Sequence, residues 1–207
     1  PARVRYGMYG LDATAAGAAI GRRRVAFGAA WPARFLYVGR YAPEKGLDTL
    51  LAAYAAYRAG VADPWPLTCC GAGPLAGSLA NQPGVEDRGF VQPADQPAEW
   101  ARAGAFVLAS RYEPWGVAAG EACAAGLPVI CTEAVGAGVE LVRSYYNGLR
   151  VPTDDVPALA RALTWAHRNH DRLERMGAAG VGLAMAYDGP VWAERVAELA
   201  AEILADS

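Results

Sequence analysis

Short apolar runs alternate with longer amphipathic segments from residue 34 onward, and this alternation constrains the fold more than any other feature of the sequence. The runs with the length and apolar character of buried strands are 34–39, 66–71, 105–110 and 127–132. Between them apolar residues repeat at helical spacing, as Leu47, Leu50 and Leu51 do after the first run. Alternating strands and helices are typical of a parallel sheet covered by helices on both faces. We therefore predict an α/β, Rossmann-like fold.

The two ends of the chain depart from this central pattern. Residues 1–33 mix Ala and Gly with three consecutive arginines at 22–24 and have no clear period. We predict a linker with an irregular helix there, and a solvent-exposed triple arginine. Residues 34–207 are predicted to be one domain with two weaker strands, at 85–91 and 149–152. Apolar residues at helical spacing predict three helices in its last quarter.

The composition excludes several classes of protein. The 19 basic and 21 acidic residues give a net charge of −2, so the chain as a whole has no electrostatic attraction to nucleic acid or anionic lipid. A hydrophobic content of 54% is too high for a largely disordered chain. No apolar run approaches the roughly 20 residues of a membrane-spanning helix, and the first residues lack the apolar core of a signal peptide. We therefore expect a soluble, cytoplasmic protein without a transmembrane segment.

The cysteines have no metal-binding pattern. Cys69 and Cys70 are adjacent, Cys123 and Cys131 are isolated, and none follows a C-x-x-C spacing. Free cysteine is among the most buried residue types, so we predict packed thiols, as in a reducing compartment. The two histidines are expected at the surface, and we predict no metal site.

The loops beyond the carboxyl ends of the strands carry the candidate site, because ligands of open parallel sheets bind there. The loop GRYAPEKG at 39–46 brings Gly39, Arg40 and Lys45 together. Arginine offers a planar fork of donors and lysine a compact charge. The pair therefore suits a diphosphate.

Two carboxylates, Glu113 and Glu121, are separated by seven residues, and a predicted helix begins between them. The loop holds Trp115, and the amides of Gly116 and Val117 lie at the predicted helix start, where unpaired donors attract anions. Carboxylates also accept hydrogen bonds from vicinal hydroxyls. A ligand with central phosphates and polyols on both sides, such as a nucleotide sugar, fits this arrangement.

Five motifs in order resemble a known family. They are GRYAPEKG with its Leu-rich helix, CCGAGP, RGFVQ, ASRYEPWGVAAGEACAAGLPVICT and YNGLRVP. Over residues 34–152 they are similar to the C-terminal, donor-binding half of family 4, or group 1, glycosyltransferases of the GT-B fold. The segment YGLD at 9–12 resembles the entry into that half.

The resemblance implies a role for each motif. Arg40 and Lys45 would stabilise the departing diphosphate, and Glu113 would hold the transferred sugar, as the catalytic residues. The implied donor-binding residues are Gly39, Gly71, Gly73, Phe90, Val91, Trp115, Gly116, Val117 and Glu121. Within this set, Glu121 would hold the ribose and residues 90–91 would seat the base. The resemblance further implies a retaining hexosyltransferase that uses a nucleoside-diphosphate sugar without a cofactor or metal.

The N-terminal Rossmann half of that family, which carries the acceptor site, has no counterpart in this sequence. The resemblance implies that this chain is the donor-binding part of a longer enzyme and is inactive by itself. Residues 1–33 would then be a lead-in from the missing domain, and any peripheral contact with a membrane would come through that domain. Residues 187–192 depart from the family's pattern before its last helix.

Two other functions remain open from the residues alone. Glycines at 71, 73 and 77 after a predicted strand resemble a dinucleotide-binding fingerprint, as in an NAD(P)-dependent oxidoreductase domain. The last interval is one residue longer than in the common form, and no acidic residue stands clearly at the end of the next strand. The other alternative is a non-catalytic scaffold that keeps the nucleotide-sugar fold. The four charged candidates, Arg40, Lys45, Glu113 and Glu121, argue against a scaffold.

Overall fold

A computed structural model describes residues 10–205. Residues 1–9 of the predicted lead-in, including Tyr9 of the YGLD motif, lie outside the described residues. The centre of the fold is a six-stranded parallel sheet in the order β3-β2-β1-β4-β5-β6. The strands are β1 Phe35–Val38, β2 Leu67–Cys70, β3 Val85–Asp87, β4 Ala105–Leu108, β5 Val129–Thr132 and β6 Gly148–Val151.

Five strands lie within stretches that the sequence predicted, and β6 begins one residue before its predicted stretch, which confirms the Rossmann-like fold class. The residues of β2, β4 and β5 are entirely buried, as expected of parallel strands covered on both faces. β3 is shorter than the predicted stretch 85–91. Gly89 adopts a left-handed φ of 63° and donates its amide to the Asp87 carboxylate at 2.8 Å, which turns the chain out of the sheet.

The helices cover the two faces of the sheet. They are α1 Ala13–Phe27, α2 Leu47–Ala59, α3 Gln96–Arg102, α4 Val117–Ala124, α5 Gly136–Leu141, α6 Val156–Arg168, α7 His170–Ala184 and α8 Gly189–Ala205. Right-handed crossovers put α2 on one face and α4 on the other. α6 packs against α2, whereas α1 and α7 pack against α4. Among residues 10–205, no helix is long and apolar enough to cross a membrane.

Short 3-10 helices form at Pro43–Lys45, Ala76–Leu79 and Met185–Tyr187. The second of them stands after β2, where the alternation of strands and helices favours an α-helix. Two glycines and a flanking proline in this segment leave too few helix-favouring residues for a longer helix. The three predicted C-terminal helices are confirmed as α6, α7 and α8, the last one beginning two residues after the third 3-10 helix.

The order of the strands reverses between β1 and β4, which are neighbours although the chain forms β2 and β3 between them. From β1 the chain moves outward to β3, and from β4 it moves outward in the opposite direction to β6. The loops that leave these two strands therefore diverge and open a crevice beyond their carboxyl ends. This switch point fixes the location of the candidate site.

The segment predicted as irregular contains a regular helix, the 15-residue α1. Asp12 caps it by accepting the amide of Ala15 at 2.8 Å. The buried residues of α1 are Ala13, Ala16, Ala19 and Arg23. Three small residues and one arginine do not form a periodic apolar stripe, so the sequence pattern missed this helix.

Arg23 fixes α1 to the rest of the fold. The side chain is buried, and its Nη atoms donate to the carbonyl oxygens of Trp100 at 2.9 Å and Ala125 at 3.2 Å. Its guanidinium also lies 4.7 Å from the centre of the Trp31 ring. Burial lowers the pKa of Arg23 to about 10. The expectation of a solvated triple arginine is therefore wrong for its middle residue and holds for the two exposed neighbours.

Replacing Arg23 with Met should lower the free energy of unfolding by about 2–3 kcal/mol, because two buried carbonyl groups lose their donor. Urea unfolding measures this loss. Arg22→Met removes the same charge from an exposed position of the same helix and should change the free energy by less than about 0.5 kcal/mol. Equal losses in the two variants would contradict the role of Arg23.

Candidate functional site

Two adjoining cavities occupy the crevice at the switch point. The first, here called the β1–β4 cavity, has a volume of about 470 Å³ and is lined by residues of the loops after β1 and β4. The second, the β1–β2 cavity, has a volume of about 400 Å³ and lies between the loops after β1 and β2. Val38, Gly39 and Arg40 line both cavities, so the two form one continuous crevice.

All predicted site residues except Gly73 and Glu121 line this crevice. Those in the β1–β4 cavity are Gly39, Arg40, Lys45, Glu113, Trp115, Gly116 and Val117. Those in the β1–β2 cavity are Gly39, Arg40, Gly71, Phe90 and Val91. The structure therefore brings together residues that lie up to 78 positions apart in the chain (Gly39 and Val117).

An ion pair between Lys45 and Glu113 spans the β1–β4 cavity. Both side chains are mostly covered, with 17% and 14% of their surfaces exposed. The Ser110 hydroxyl also donates to the Glu113 carboxylate at 3.3 Å. Opposite charges that are this well covered hold each other in a fixed geometry, because separating them would leave an uncompensated charge.

Gly46 allows the loop of Lys45 to approach the loop of Glu113. It adopts a left-handed φ of 61°, and a Cβ atom there would overlap the carbonyl group of Ala109 at the end of β4. Only glycine fits both this conformation and this close contact. The backbone at Gly46 thus sets the distance that the ion pair bridges.

Arg40 extends from the end of β1 into the crevice, and its side chain is 66% exposed. The guanidinium pairs with Glu44, four residues along the same loop. The buried Tyr37 hydroxyl donates to the Arg40 carbonyl at 2.9 Å, which fixes the backbone at this point. Burial raises the pKa of Tyr37, so the hydroxyl keeps its proton.

The N-terminus of α4 opens into the β1–β4 cavity. The amides of Gly116, Val117 and Ala118 have no acceptor among the described residues. Gly116 has a φ of 97°, and a Cβ atom there would meet the side chains of Val135 and Glu113. Unpaired amides and the partial positive charge of a helix end are the features that favour binding of an anion.

The β1–β2 cavity is mostly apolar. Phe90 is 65% exposed at its rim, and Val91 and Gln96 lie beside it. Gly71 allows close contact between this loop and the Gly39 carbonyl group, where a Cβ atom would overlap. Gly73 lines neither cavity and instead lies against the backbone of Tyr41. An exposed aromatic ring over an apolar floor suits a flat, stacking group.

Glu121 lies on the second turn of α4 and lines neither cavity. Its side chain forms no hydrogen bond or ion pair with the described residues. Burial raises the pKa of its carboxyl group, and the nearby Asp12 carboxylate raises it further. A largely covered carboxylate without a partner destabilises a folded protein, which is a feature of functional positions.

The geometry adds residues that the sequence analysis missed. Glu44, Ser110 and Tyr37 contact Arg40 or Glu113 directly, and Gly46 sets the approach of their loops. Glu44, Gly46 and Ser110 lie within motifs quoted in the sequence analysis, which gave these three residues no role, and Tyr37 lies in the first predicted strand. Ser110 and Glu44 could have been found from their positions in strand-end loops, but the partner of the Tyr37 hydroxyl is defined only in three dimensions.

The dinucleotide alternative lacks its structural context. The glycines at 71–77 lead into the 3-10 helix Ala76–Leu79 and not into an α-helix. A pyrophosphate therefore finds no helix N-terminus after β2. Gly71 and Gly73 pack closely against the backbone of Gly39 and Tyr41, whereas a Cβ atom at Gly77 would lie in open space.

The histidines differ from the expectation that both are exposed. His167 and His170 are each partly covered by the Trp65 ring, at centroid distances of 5.2 and 5.0 Å. The Nδ1 atom of His167 also shares a hydrogen bond of 2.8 Å with the Tyr57 hydroxyl. Among residues 10–205, no three His, Cys, Asp or Glu side chains cluster as metal ligands, and the four cysteines are buried free thiols.

A doubly wound parallel sheet with a charged crevice at its switch point defines the class of Rossmann-like ligand-binding proteins. Within this class, residues 29–181 match the family described as "Glycosyl transferases group 1". The chain therefore belongs to the group 1 glycosyltransferases, as its motifs predicted.

Individual relatives agree with the family. The GDP-mannose-dependent alpha-(1-6)-phosphatidylinositol monomannoside mannosyltransferase of Mycobacterium tuberculosis is 35% identical over 157 residues, which cover 69% of this chain and 40% of that protein. The chain thus spans well under half of that relative's length.

Two solved structures have a similar fold. Sucrose-phosphate synthase from Thermosynechococcus elongatus superimposes with a TM-score of 0.76 and 25% identity, covering 100% of this chain and 52% of that one. HepE of Anabaena, solved in complex with UDP, has a TM-score of 0.77 and 22% identity, covering 93% and 56%.

Glu121→Gln should raise the free energy of unfolding at neutral pH. The pKa of Glu121 is raised in the folded protein. The stability that depends on protonated Glu121 is therefore fully present below the pKa of this group in the unfolded chain, and it is lost as the pH rises through its pKa in the folded protein. Urea unfolding at neutral and acidic pH measures the difference, which should vanish in acid. Glu133→Gln, at an exposed carboxyl on a neighbouring loop, should show no such gain. A neutral-pH loss of stability in Glu121→Gln would contradict the expectation.

Proposed function

We propose that this chain forms the donor-binding half of a retaining glycosyltransferase that takes a sugar from a nucleoside diphosphate. The observation that carries the proposal is the convergence of Arg40, Lys45, Glu113 and the unpaired amides of α4 on one cavity. Two cations, one carboxylate and a helix N-terminus match a ligand that has both phosphates and hydroxyl groups.

The diphosphate would bind between the two cations and the start of α4. Arg40 and Lys45 would approach it from the loop after β1, and the amides of Gly116 and Val117 from the loop after β4. These donors are fixed in advance by the backbone, so they can stabilise charge that develops on the leaving diphosphate. This electrostatic stabilisation would be the main contribution of the chain to catalysis.

Glu113 would accept hydrogen bonds from hydroxyl groups of the transferred sugar. It is the one carboxylate among the residues that line the β1–β4 cavity. Its ion pair with Lys45 holds the carboxylate in one orientation, which favours a positioning role over nucleophilic attack. Retention of the anomeric configuration is what the family resemblance implies for such a site.

The nucleoside would extend from the diphosphate into the β1–β2 cavity. Phe90 and Val91 would contact the base, and Gly71 would let it lie close to the sheet. Glu121 lines neither cavity, and its proposed role as acceptor from the ribose hydroxyls rests on the family resemblance. The complex of HepE with UDP supports a nucleoside diphosphate in a fold of this kind. No cofactor or metal is required by this arrangement of donors.

The acceptor would bind to parts of the enzyme that this chain does not contain. The mannosyltransferase relative is more than twice as long as the segment it shares with this chain. We propose that such an additional domain supplies the acceptor site, and that this chain alone binds the donor without completing transfer. The buried free thiols fit a reducing compartment such as the cytoplasm.

Lys45→Met should weaken binding of a nucleoside diphosphate roughly 10- to 100-fold, because a charged hydrogen bond to phosphate is lost. Titration calorimetry with UDP, GDP and ADP measures the dissociation constant of the best ligand. Because Lys45→Met leaves Glu113 covered and unpaired, the double variant Lys45→Met/Glu113→Gln provides a folded comparison and should bind as weakly.

Arg102→Met removes a cation remote from the crevice and should leave the affinity unchanged. A ligand at 100 times its dissociation constant should also add about 2.7 kcal/mol to the stability of the wild-type protein. No binding of any of the three nucleotides at millimolar concentration would contradict the proposal and favour the scaffold alternative.

Glu121→Ala should weaken nucleoside-diphosphate binding by on the order of 1–3 kcal/mol, because the ribose hydroxyls lose a charged acceptor. Calorimetry with inorganic diphosphate, which lacks the whole nucleoside, gives the comparison. The variant should bind inorganic diphosphate as the wild type does. An equal loss for both ligands, or no loss for either, would contradict the ribose role.

A further inference from the structure

A second charged surface lies on α6, α7 and the turn before β6. We call it the basic–aromatic face, and its residues are Tyr145, Tyr146, Arg161, Trp165, Arg168, Arg172 and Arg175. On α6 the residues recur at helical spacing, and on α7 the two arginines are three positions apart. They therefore form one continuous stripe.

Trp165 joins two concave parts of this face. One, of about 320 Å³, lies along α6 and includes Arg161 and Arg168. The other, of about 200 Å³, lies between the tyrosine turn and α7 and includes Arg172 and Arg175. No acidic residue lines either part. Glu174 of α7 lines a separate cavity beside Arg23.

The four arginines of the face lack partners. Their side chains form no ion pair or hydrogen bond with the described residues, and all four are exposed. Other arginines do form ion pairs with described residues, among them Arg34, Arg40, Arg88, Arg102 and Arg111. The chain as a whole has a net charge of −2, so this concentration of positive charge is local.

The tyrosine turn exposes large aromatic surfaces beside these charges. Tyr145 is 69% exposed and Tyr146 is 56% exposed. Tyr145 has a left-handed φ of 65°, which is unfavourable for a bulky residue. Its amide donates to the Gly148 carbonyl at 2.8 Å, and the centres of the Tyr145 and Trp165 rings lie 5.4 Å apart in a T-shaped arrangement. The turn thus holds an aromatic residue at the surface in spite of its backbone conformation.

The face lies at the opposite end of the strands from the crevice. The tyrosine turn precedes β6, and the C-terminal end of α6 lies near Trp65, which precedes β2. Both positions belong to the amino ends of the strands. An occupant of the basic–aromatic face would therefore leave the crevice open.

We propose that the basic–aromatic face binds an anionic phospholipid surface. Arginines near such a surface attract the negative headgroups, and tyrosine and tryptophan favour the boundary between headgroups and acyl chains. The pocket between the tyrosine turn and Arg172 and Arg175 would take the phosphate of one headgroup. A pocket of about 200 Å³ beside an exposed turn fits a single headgroup better than the continuous groove that a polymer such as RNA needs.

Sedimentation with vesicles tests the proposal on the full chain. Vesicles of phosphatidylcholine mixed with phosphatidylglycerol should bind the protein at low salt, and vesicles of phosphatidylcholine alone should not. Added salt should release the protein, because exposed charges are screened. The double variant Arg172→Gln/Arg175→Gln should bind roughly 25-fold more weakly, since each arginine contributes about fivefold.

Two controls make the result specific to this face. Arg22→Gln/Arg24→Gln removes the same charge from exposed positions of α1 and should bind vesicles like the wild type. Tyr145→Asn should also weaken binding, and Asn tolerates the left-handed backbone, so the turn is retained. Melting temperatures and circular dichroism should match among all variants.

Three results would overturn the proposal. They are no preference for anionic vesicles at low salt, equal loss of binding in the α1 and α7 variants, and binding of single-stranded RNA or heparin that exceeds vesicle binding and depends on Arg172 and Arg175. The α7 variant should bind nucleoside diphosphates like the wild type. This comparison separates failure of the lipid surface from failure of the donor site.

Discussion

Two mostly covered charges, on Lys45 and Glu113, meet where the loops after β1 and β4 come closest. A pair of this kind is stable only if both partners stay together, because a single covered charge is costly. The backbone must therefore bring the loops to one separation, and Gly46 against Ala109 provides it. With the loops fixed in this way, the N-terminus of α4 opens toward the same cavity. The charged crevice, the unpaired amides and the close packing of backbone at the sheet edge all follow from this contact.

Much of this arrangement could be predicted from the sequence. The apolar runs identified every strand, and the motifs named the charged residues that line the crevice. The signals that succeeded were local: a strand-end loop, a glycine before a helix, a carboxylate at a fixed spacing. Prediction failed where partners are distant in the chain. We expected Arg23 in solvent because the carbonyl groups that accept its hydrogen bonds belong to residues 77 and 102 positions away in the chain. Tyr37 gave no signal although its partner Arg40 is only three positions away, because the sequence does not show which acceptor a tyrosine hydroxyl reaches.

Net charge was also an incomplete guide. The net charge of −2 is a sum over the whole chain. It combines the positive charges of the unpaired arginines of α6 and α7 with an excess of acidic residues elsewhere. Electrostatic attraction acts over about 10 Å at moderate salt, so a partner senses the local face and not the total. Glu121 illustrates the complementary point, because one covered carboxylate without a partner weakens the fold in a way that no sum of charges reveals. The effect of a charged side chain on binding or stability therefore depends on its position and on the groups that face it.

The backbone at Leu11 is held between two points of the C-terminal region. Its amide donates to Tyr187 at 2.7 Å, and its carbonyl accepts from Gly189 at 2.8 Å. These two hydrogen bonds hold the segment that leads into α1 beside the segment that leads into α8. Arg23 in turn joins α1 to Trp100 of α3 and to Ala125 at the end of α4. Hydrogen bonds therefore connect the start of α8, through α1, to the helix whose N-terminus faces the crevice.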